Sequence, residues 1–230
     1  MVRACLQGHM GHVTNWGKES ALASVGDFCF LAGKPEAELL NRADAPILVP
    51  GSEEWSRLIQ EKLGGRAVPF TRYATSRAPD RFNRDKLMHF TAALPDGFEL
   101  VPICKGMYPV MMSQGWSRDL CGNFADGADF ARRGIGAAVL WDGKPVAGAA
   151  SYAVCDDEIE IEVDTAPAFR RRGLAAACGA RLILECLDRG IYPGWDAHDR
   201  RSLALAERLG YQLDHPYTAF WVEEKIRDRG

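Results

Sequence analysis

The sequence predicts an α+β fold: a twisted mixed sheet flanked by helices, with a smaller α/β region ahead of it. Two observations lead there. Between Ala137 and Thr165 three strand-like runs, "AAVLW", "PVAGAASYAV" and "EIEIEVDT", are joined by the tight connections "DGK" and "CDD". Glycine after aspartate is a strong hairpin signal, because glycine tolerates the positive φ that such turns require. After this meander the pattern changes to an alanine-rich apolar run from about Leu174 to Leu187, a short strand at "YPGWDA", a helix at "DRRSLALAERLG" and a last strand at "YTAFWV". A meander followed by alternating helices and strands gives a mixed sheet with helices packed on it.

The remaining elements follow in order. "FELVPI" reads as a strand, and "KGMYPVMMSQGW" and "RDLCGNFADGADFARR" as helical or partly helical stretches. Gly134 then reads as a helix C-terminal cap, with Arg132 and Arg133 near the negative end of the helix dipole. In the first 97 residues "FCFLAG" and "ILVP" look like strands and "DRFNRDKLMHFTAAL" like a helix. "SEEWSRLIQEKLG" is an amphipathic helix with Trp55, Leu58, Ile59, Lys62 and Leu63 on one face, capped by Ser52 and Gly64. Turn chemistry at Pro95-Asp96-Gly97 divides the chain into an N-terminal α/β domain, 1–97, and a second domain, 98–230.

With 230 residues, 47% hydrophobic and 26% charged, the chain can bury a substantial core. A formal net charge of −3 argues against a dedicated nucleic-acid or membrane-surface protein. "MVRACLQGHM" lacks the apolar segment of a secretory signal, and the seven cysteines are scattered without a C-x-x-C pair. A cytoplasmic protein with reduced thiols, acting as a monomer or homodimer, is therefore expected. Cys5, His9 and His12 have a passable spacing for a metal but no fourth ligand nearby, and no metal is expected.

The stretch "FRRRGLAAACGARLILECL" carries the chemistry. It follows the strand "EIEIEVDT" and a short turn, so the amides of Arg171, Arg172, Gly173, Leu174 and Ala175 are the unpaired donors of a helix N-terminus. Arginines there oppose the helix dipole unless an anion arrives, and together with the amides they form an anion site. A solvated charge run is the competing reading. Against it stands the helix itself, whose polar positions reduce to Arg181, Glu185 and Asp188, so that the rest must be packed on the sheet. No Gly-Lys-Ser/Thr follows and the further glycines of a dinucleotide fingerprint are missing.

Arg170-x-x-Gly173-x-Ala175, after a strand and opening a helix, resembles the Arg/Gln-x-x-Gly-x-Gly/Ala pyrophosphate loop of the GNAT superfamily of N-acetyltransferases. "VDTAPAFRRRGLA", "YPGWDAHDRRSLALAERLGY" and the tyrosine of "HPYTAFWV" extend the likeness to the GNAT family that includes zwittermicin-resistance-type enzymes. "GDFCFLAG" and "RYATSRAPDRFNRDKL" continue it weakly into the front half. The resemblance implies a sheet splayed between its fourth and fifth strands, with acetyl-CoA as cosubstrate and its pantetheine arm in the cleft. Two departures stand out. The family usually has Asn where this chain has Asp199, and many members carry a tyrosine, general acid for the leaving thiolate, where this chain has Ala206.

Acetyl transfer to an amine needs a base, donors for the oxyanion, and a proton for the thiolate. Glu158, Glu160, Glu162 and Asp164 alternate with apolar residues and share one strand face. A solvated face would look the same, but the resemblance places a base there, and Glu160, then Glu162, is expected to fill the role. It further implies the amide of Val163 as carbonyl donor, backbone contacts from Asp164 and Thr165 to pantetheine, and cofactor contacts from Arg170 and Asp199; Ser202, one helical turn beyond Asp199, is a candidate cofactor contact and equally a candidate surface serine. Tyr217 is the candidate proton donor, although a strand tyrosine equally describes half-buried packing. The expected reaction is acetylation of a small-molecule primary amine, an aminated antibiotic or metabolite. A module that binds acyl-CoA without chemistry, or an acetyltransferase acting on a protein, are the alternatives.

Overall fold

A computed structural model describes residues 1–222, so that the last eight residues assigned to the second domain lie outside it. In chain order the elements are α1 (Val2–Leu6), β1 (His12–Trp16), β2 (Ser20–Val25), β3 (Phe28–Gly33), α2 (Ala37–Asn41), β4 (Ile47–Pro50), α3 (Glu53–Leu63) and β5 (Ala67–Thr75). There follow α4 (Arg84–Ala92), β6 (Phe98–Pro102), α5 (Tyr108–Ser113), α6 (Gly127–Arg133), β7 (Gly136–Trp141), β8 (Lys144–Val154) and β9 (Glu158–Thr165). The chain closes with α7 (Leu174–Asp188), β10 (Tyr192–Gly194), β11 (Asp196–Ala197), α8 (Arg200–Leu209) and β12 (Leu213–Val222).

Two compact units divide these elements: Met1–Arg72 with the segment from Pro216, and Tyr73–His215. The turn at Pro95-Asp96-Gly97 falls inside the second unit, between α4 and β6. Gly97, at φ 83°, lies flat against the Trp141 ring, where a Cβ would stand 2.7 Å from an indole carbon. The turn residues there serve a local packing contact; the divisions between units lie within β5 and β12, where no turn chemistry marks them.

In the first unit β1, β2 and β3 form an antiparallel meander; β4 pairs parallel to β3, and β12 antiparallel to β4. Its core gathers Leu22, Leu31, Leu39, Leu48, Trp55, Ile59 and Phe220. Ser52 caps α3 by accepting from the Trp55 amide, and Gly64 ends it at φ 52°, both as expected.

The second unit holds the sheet β10-β9-β8-β7-β6, antiparallel except for the parallel pair β10–β9. The hairpin between β7 and β8 turns on Asp142 and Gly143, at φ 50° and 71°, the two positive values that a tight turn between right-twisted strands requires. Almost all of β8 is buried, and its run Ala147-Gly148-Ala149-Ala150 is small on both faces: a Cβ on Gly148 would stand 2.7 Å from Leu120, and α7, whose Ala176, Ala177, Cys178 and Ala180 are buried, also packs on the strand. Gly134 does end α6, but from an extended conformation, φ −80° and ψ 158°. A Cβ there would meet the Phe130 carbonyl at 2.8 Å, so close approach, not a left-handed turn, calls for the glycine.

Arg132 and Arg133 are held by Asp129. Its carboxylate accepts from Arg132 Nη2 at 2.5 Å, Arg133 Nε at 2.9 Å and the Ala125 amide at 3.2 Å. The hydrogen bonds from Arg133 first, then the Ala125 amide and the arginine charges, outweigh partial burial and hold this carboxyl far below the usual carboxylate range. A depressed folded-state value gives stability that is present above the unfolded value and lost as the carboxyl is protonated on acidification. Asp129→Asn is accordingly expected to cost about 2 kcal/mol at neutral pH. The difference from the parent chain should shrink below about pH 4, which urea unfolding at two pH values reads directly.

Candidate active site

Strand β9 builds the site. Ile159 and Ile161 are buried while Glu158, Glu160, Glu162 and Asp164 on the opposite face are half-buried, the alternation of a strand covered on one face. β8 covers one edge of β9 throughout, with one extra residue, Tyr152, opposite the step from Ile161 to Glu160, a bulge of the kind that re-aims side chains. On the other edge β10 accompanies β9 for three residues only, ending at the pair Gly194–Glu160. After Trp195 the chain forms β11, which pairs antiparallel with β5 at Asp196–Ala74 and Ala197–Tyr73. The single strand expected at "YPGWDA" is therefore two strands with different partners, and the sheet splits where they part. The Ala166 amide donates to the Val146 carbonyl on β8 at 2.9 Å. Because strand N–H groups alternate between edges, those of Val163 and Thr165 point to the uncovered edge; the latter meets Asp164 Oδ1 at 2.6 Å.

Glu160 stands at the point of the split. The Asp196 amide donates to its Oε1 at 2.8 Å. Withdrawal from water first, then the negative charges of Asp196 and Glu158, push this carboxyl up to about 7, against the pull of the Asp196 hydrogen bond. A carboxylate with that proton affinity is matched to accept a proton near neutral pH.

Beyond Thr165 the chain turns through 167–169 into the arginines. Arg170 Nε donates to the Thr165 carbonyl at 3.0 Å and its Nη2 lies 3.6 Å from Asp164 Oδ1, so that Arg170 braces the turn. Arg172 lies 5.3 Å over the Phe169 ring. Arg171 at φ 64° and Gly173 at φ 81° are both left-handed, and a Cβ on Gly173 would meet nothing within 4 Å. Among the described residues, the backbone N–H groups from Arg171 to Ala176 donate no hydrogen bond within the protein. Six unused donors in front of an open surface, with three exposed arginines, fit a ligand bearing several anionic oxygens.

Asp199 and Ser202 already have partners of their own. The Asp199 carboxylate caps α8, accepting from the amides of Arg201 and Ser202 at 2.8 Å each. The Ser202 hydroxyl accepts from Trp195 Nε1 at 3.1 Å. Ala206, the position at which the resemblance implied a tyrosine, is fully buried. Glu162 lies half-buried one alternation beyond Glu160, and Leu174 and Ala175 open α7 behind Gly173. Tyr217 is half-buried on β12, in the first unit, whereas every other expected site residue belongs to the second. Asp196 and Arg77, which surround the carboxylates of β9, escaped the sequence reading. An aspartate directly after the tryptophan of "YPGWDA" was the available signal for the first; the second had none.

A sheet that opens beside a strand carrying a raised carboxyl, and leads straight into a helix start with unused amides, is the architecture of a GNAT-type acyltransferase. The chain belongs to the GNAT acetyltransferase family, whose model matches residues 1–220, and it is an enzyme of the N-acetyltransferase class. It is similar to YdfB of Bacillus subtilis, described as an uncharacterized N-acetyltransferase, at 26% identity over 196 residues, 84% of this chain and 71% of the relative. A solved structure of a GCN5-related N-acetyltransferase-like protein from Streptococcus suis is 44% identical, with a TM-score of 0.92 over 96% of this chain and 91% of that one. A GCN5-related N-acetyltransferase from Kribbella flavida, 15% identical, shares the fold with a TM-score of 0.60, covering 96% of each chain.

Proposed function

We propose that this enzyme moves the acetyl group of acetyl-CoA to a primary amine of a small molecule, with Glu160 as the general base. The observation that carries the reading is the Glu160 carboxyl, pushed up to about 7 at the point where β9 and β10 part. An ammonium acceptor, with a proton affinity near about 10 for a lysine-like amine, passes its proton to Glu160 directly or through a water. The freed nitrogen bonds to the thioester carbonyl carbon while the Val163 amide donates to the carbonyl oxygen, and the carbon–sulfur bond then breaks, the departing thiolate taking the second proton that the nitrogen gives up as the amide forms. The amides of Arg171 to Ala175, with the side chains of Arg171 and Arg172, receive the diphosphate. Arg170 contributes by bracing Asp164 and Thr165, whose backbone lies along the path of the pantetheine arm. The acceptor is an aminated natural product or antibiotic, as the likeness to zwittermicin-resistance-type enzymes suggests, and the reaction runs in the cytoplasm.

Thermal unfolding with and without acetyl-CoA, followed by thiol release over a panel of polyamines, amino sugars, aminoglycosides and amino acids, tests this. A ligand at about 100 times its dissociation constant stabilises a fold by roughly 2.7 kcal/mol, so the midpoint should rise by several degrees, and at least one amine should accelerate thiol release. An unmoved midpoint would remove the donor. A raised midpoint with release only in the presence of a folded protein acceptor would move the reading to protein acetylation.

A further inference from the structure

Gly194 sits between two carboxylates. A Cβ added to it would stand 3.1 Å from Glu158 Oε1 and 3.4 Å from Glu160 Oε2. The two oxygens are therefore within about 6.5 Å of one another, close enough for a charge on one to oppose a charge on the other. Glu158 is not left as a bare charge. Arg77 Nη1 donates to its Oε2 at 2.6 Å, and Nη2 donates to Asp157 Oδ2 at 3.1 Å.

Arg77 is itself held in place by this unit. Its guanidinium lies 4.9 Å over the Tyr192 ring. The Tyr192 hydroxyl donates to the Ser76 carbonyl at 3.1 Å, and the Ser76 amide donates to the Gln212 carbonyl at 2.9 Å. The Glu158 side chain is 21% exposed against 47% for Arg77, so the pair is anchored on a carboxylate largely removed from water. Within this unit the titratable groups that face Glu160 are Glu158 from its own strand, Tyr192 from β10, Asp196 from β11 and Tyr211 ahead of β12. Both carboxylates in that set oppose ionisation of Glu160, and Arg77 is the cation bound to one of them.

We propose that Arg77 is a positioning residue for the acetyl transfer, holding Glu158 in an ion pair so that Glu160 remains able to take and give up a proton during turnover. The proposal rests on the reading of Glu160 as the base and deepens it. Arg77 touches neither the acceptor nor the thioester; it acts through Glu158.

The test is the pH profile of kcat/KM, from mildly acid to alkaline pH, with acetyl-CoA and the fastest amine of the panel above. The variants are Arg77→Ala, Arg77→Lys, Glu158→Gln, the double variant Arg77→Ala with Glu158→Gln, and Glu160→Gln as reference. In Arg77→Ala the acid limb should move to higher pH by about half to one unit, and Arg77→Lys should restore part of that shift. Glu158→Gln should move the limb to lower pH, and adding Arg77→Ala to it should change the limb no further. A uniform loss of activity at every pH with the limb unmoved, as a merely structural role would give, overturns the inference. If Glu160→Gln abolishes the limb while Arg77→Ala and Glu158→Gln leave it in place, the inference alone falls. If Glu160→Gln leaves the limb intact, the base assignment falls and the inference with it.

Discussion

Replacing Glu160 with Gln is expected to lower turnover by about 10²- to 10⁴-fold, the usual contribution of a positioned base. Gln keeps the size of the side chain and an acceptor for the Asp196 amide, which Oε1 holds at 2.8 Å, so the change isolates the proton. In the parent enzyme kcat/KM should fall as pH drops through about 7, where the Glu160 carboxyl becomes protonated; in the variant that limb should be absent. Stability supplies an independent reading with its own sign. Glu160 is raised above the ordinary glutamate value in the folded chain, so its contribution is fully present below that value and is lost as pH rises through about 7. Glu160→Gln should therefore flatten the decline in stability across mildly acid to neutral pH, measured by chemical unfolding. A parent-like rate at neutral pH would pass the role of base to Glu162 or to none of these residues.

Gly173→Val is expected to weaken acetyl-CoA binding by about 100-fold, the loss of one or two hydrogen bonds to a charged group. The space around Gly173 is open on the protein side, with nothing within 4 Å of an added Cβ, so a clash with the protein is not the cause. A branched side chain resists φ 81°, at a cost of about 1–2 kcal/mol, and occupies the approach to the unused amides. Gly173→Ala should lie between the two, since it brings the conformational cost with little bulk. Titration calorimetry with acetyl-CoA measures all three; equal affinities would mean that the diphosphate does not sit on this turn.

The parts that were legible in the sequence are those whose partners are local. Asp142-Gly143 announced its hairpin because the turn needs only its own two residues, and α7 was legible because its stripe of three polar positions is a property of the helix alone. The loop of Arg170 to Ala175 was legible for the same reason. β1, β2 and β5 went unseen. β2, "SALASV", buries Ser20 and Ser24, and their hydroxyls are satisfied by the Lys34 carbonyl and by Asp44, partners that local pattern does not reveal. The site divides the same way. Four alternating acids could be read from β9, but what sets Glu160 apart is where β10 leaves it, the amide of Asp196 at 36 residues' separation, and Arg77 at 81 residues from Glu158. Asp199 is legible in another way: a polar residue ahead of a helical pattern reads as a cap, and its carboxylate accepts from the first amides of α8.

The pairing of β12 with β4, Phe220 beside Leu48 and Trp221 beside Ile47, has a consequence for how the chain is made. Phe220 and Val222 belong to the same core as Leu22 and Trp55, yet they are translated after the whole second unit. Until they emerge from the ribosome, β4 presents an unpaired apolar edge, the kind of surface on which nascent chains associate wrongly. The second unit, continuous in sequence, can fold as it appears; the first must wait for a contact spanning most of the chain, so its closure comes last.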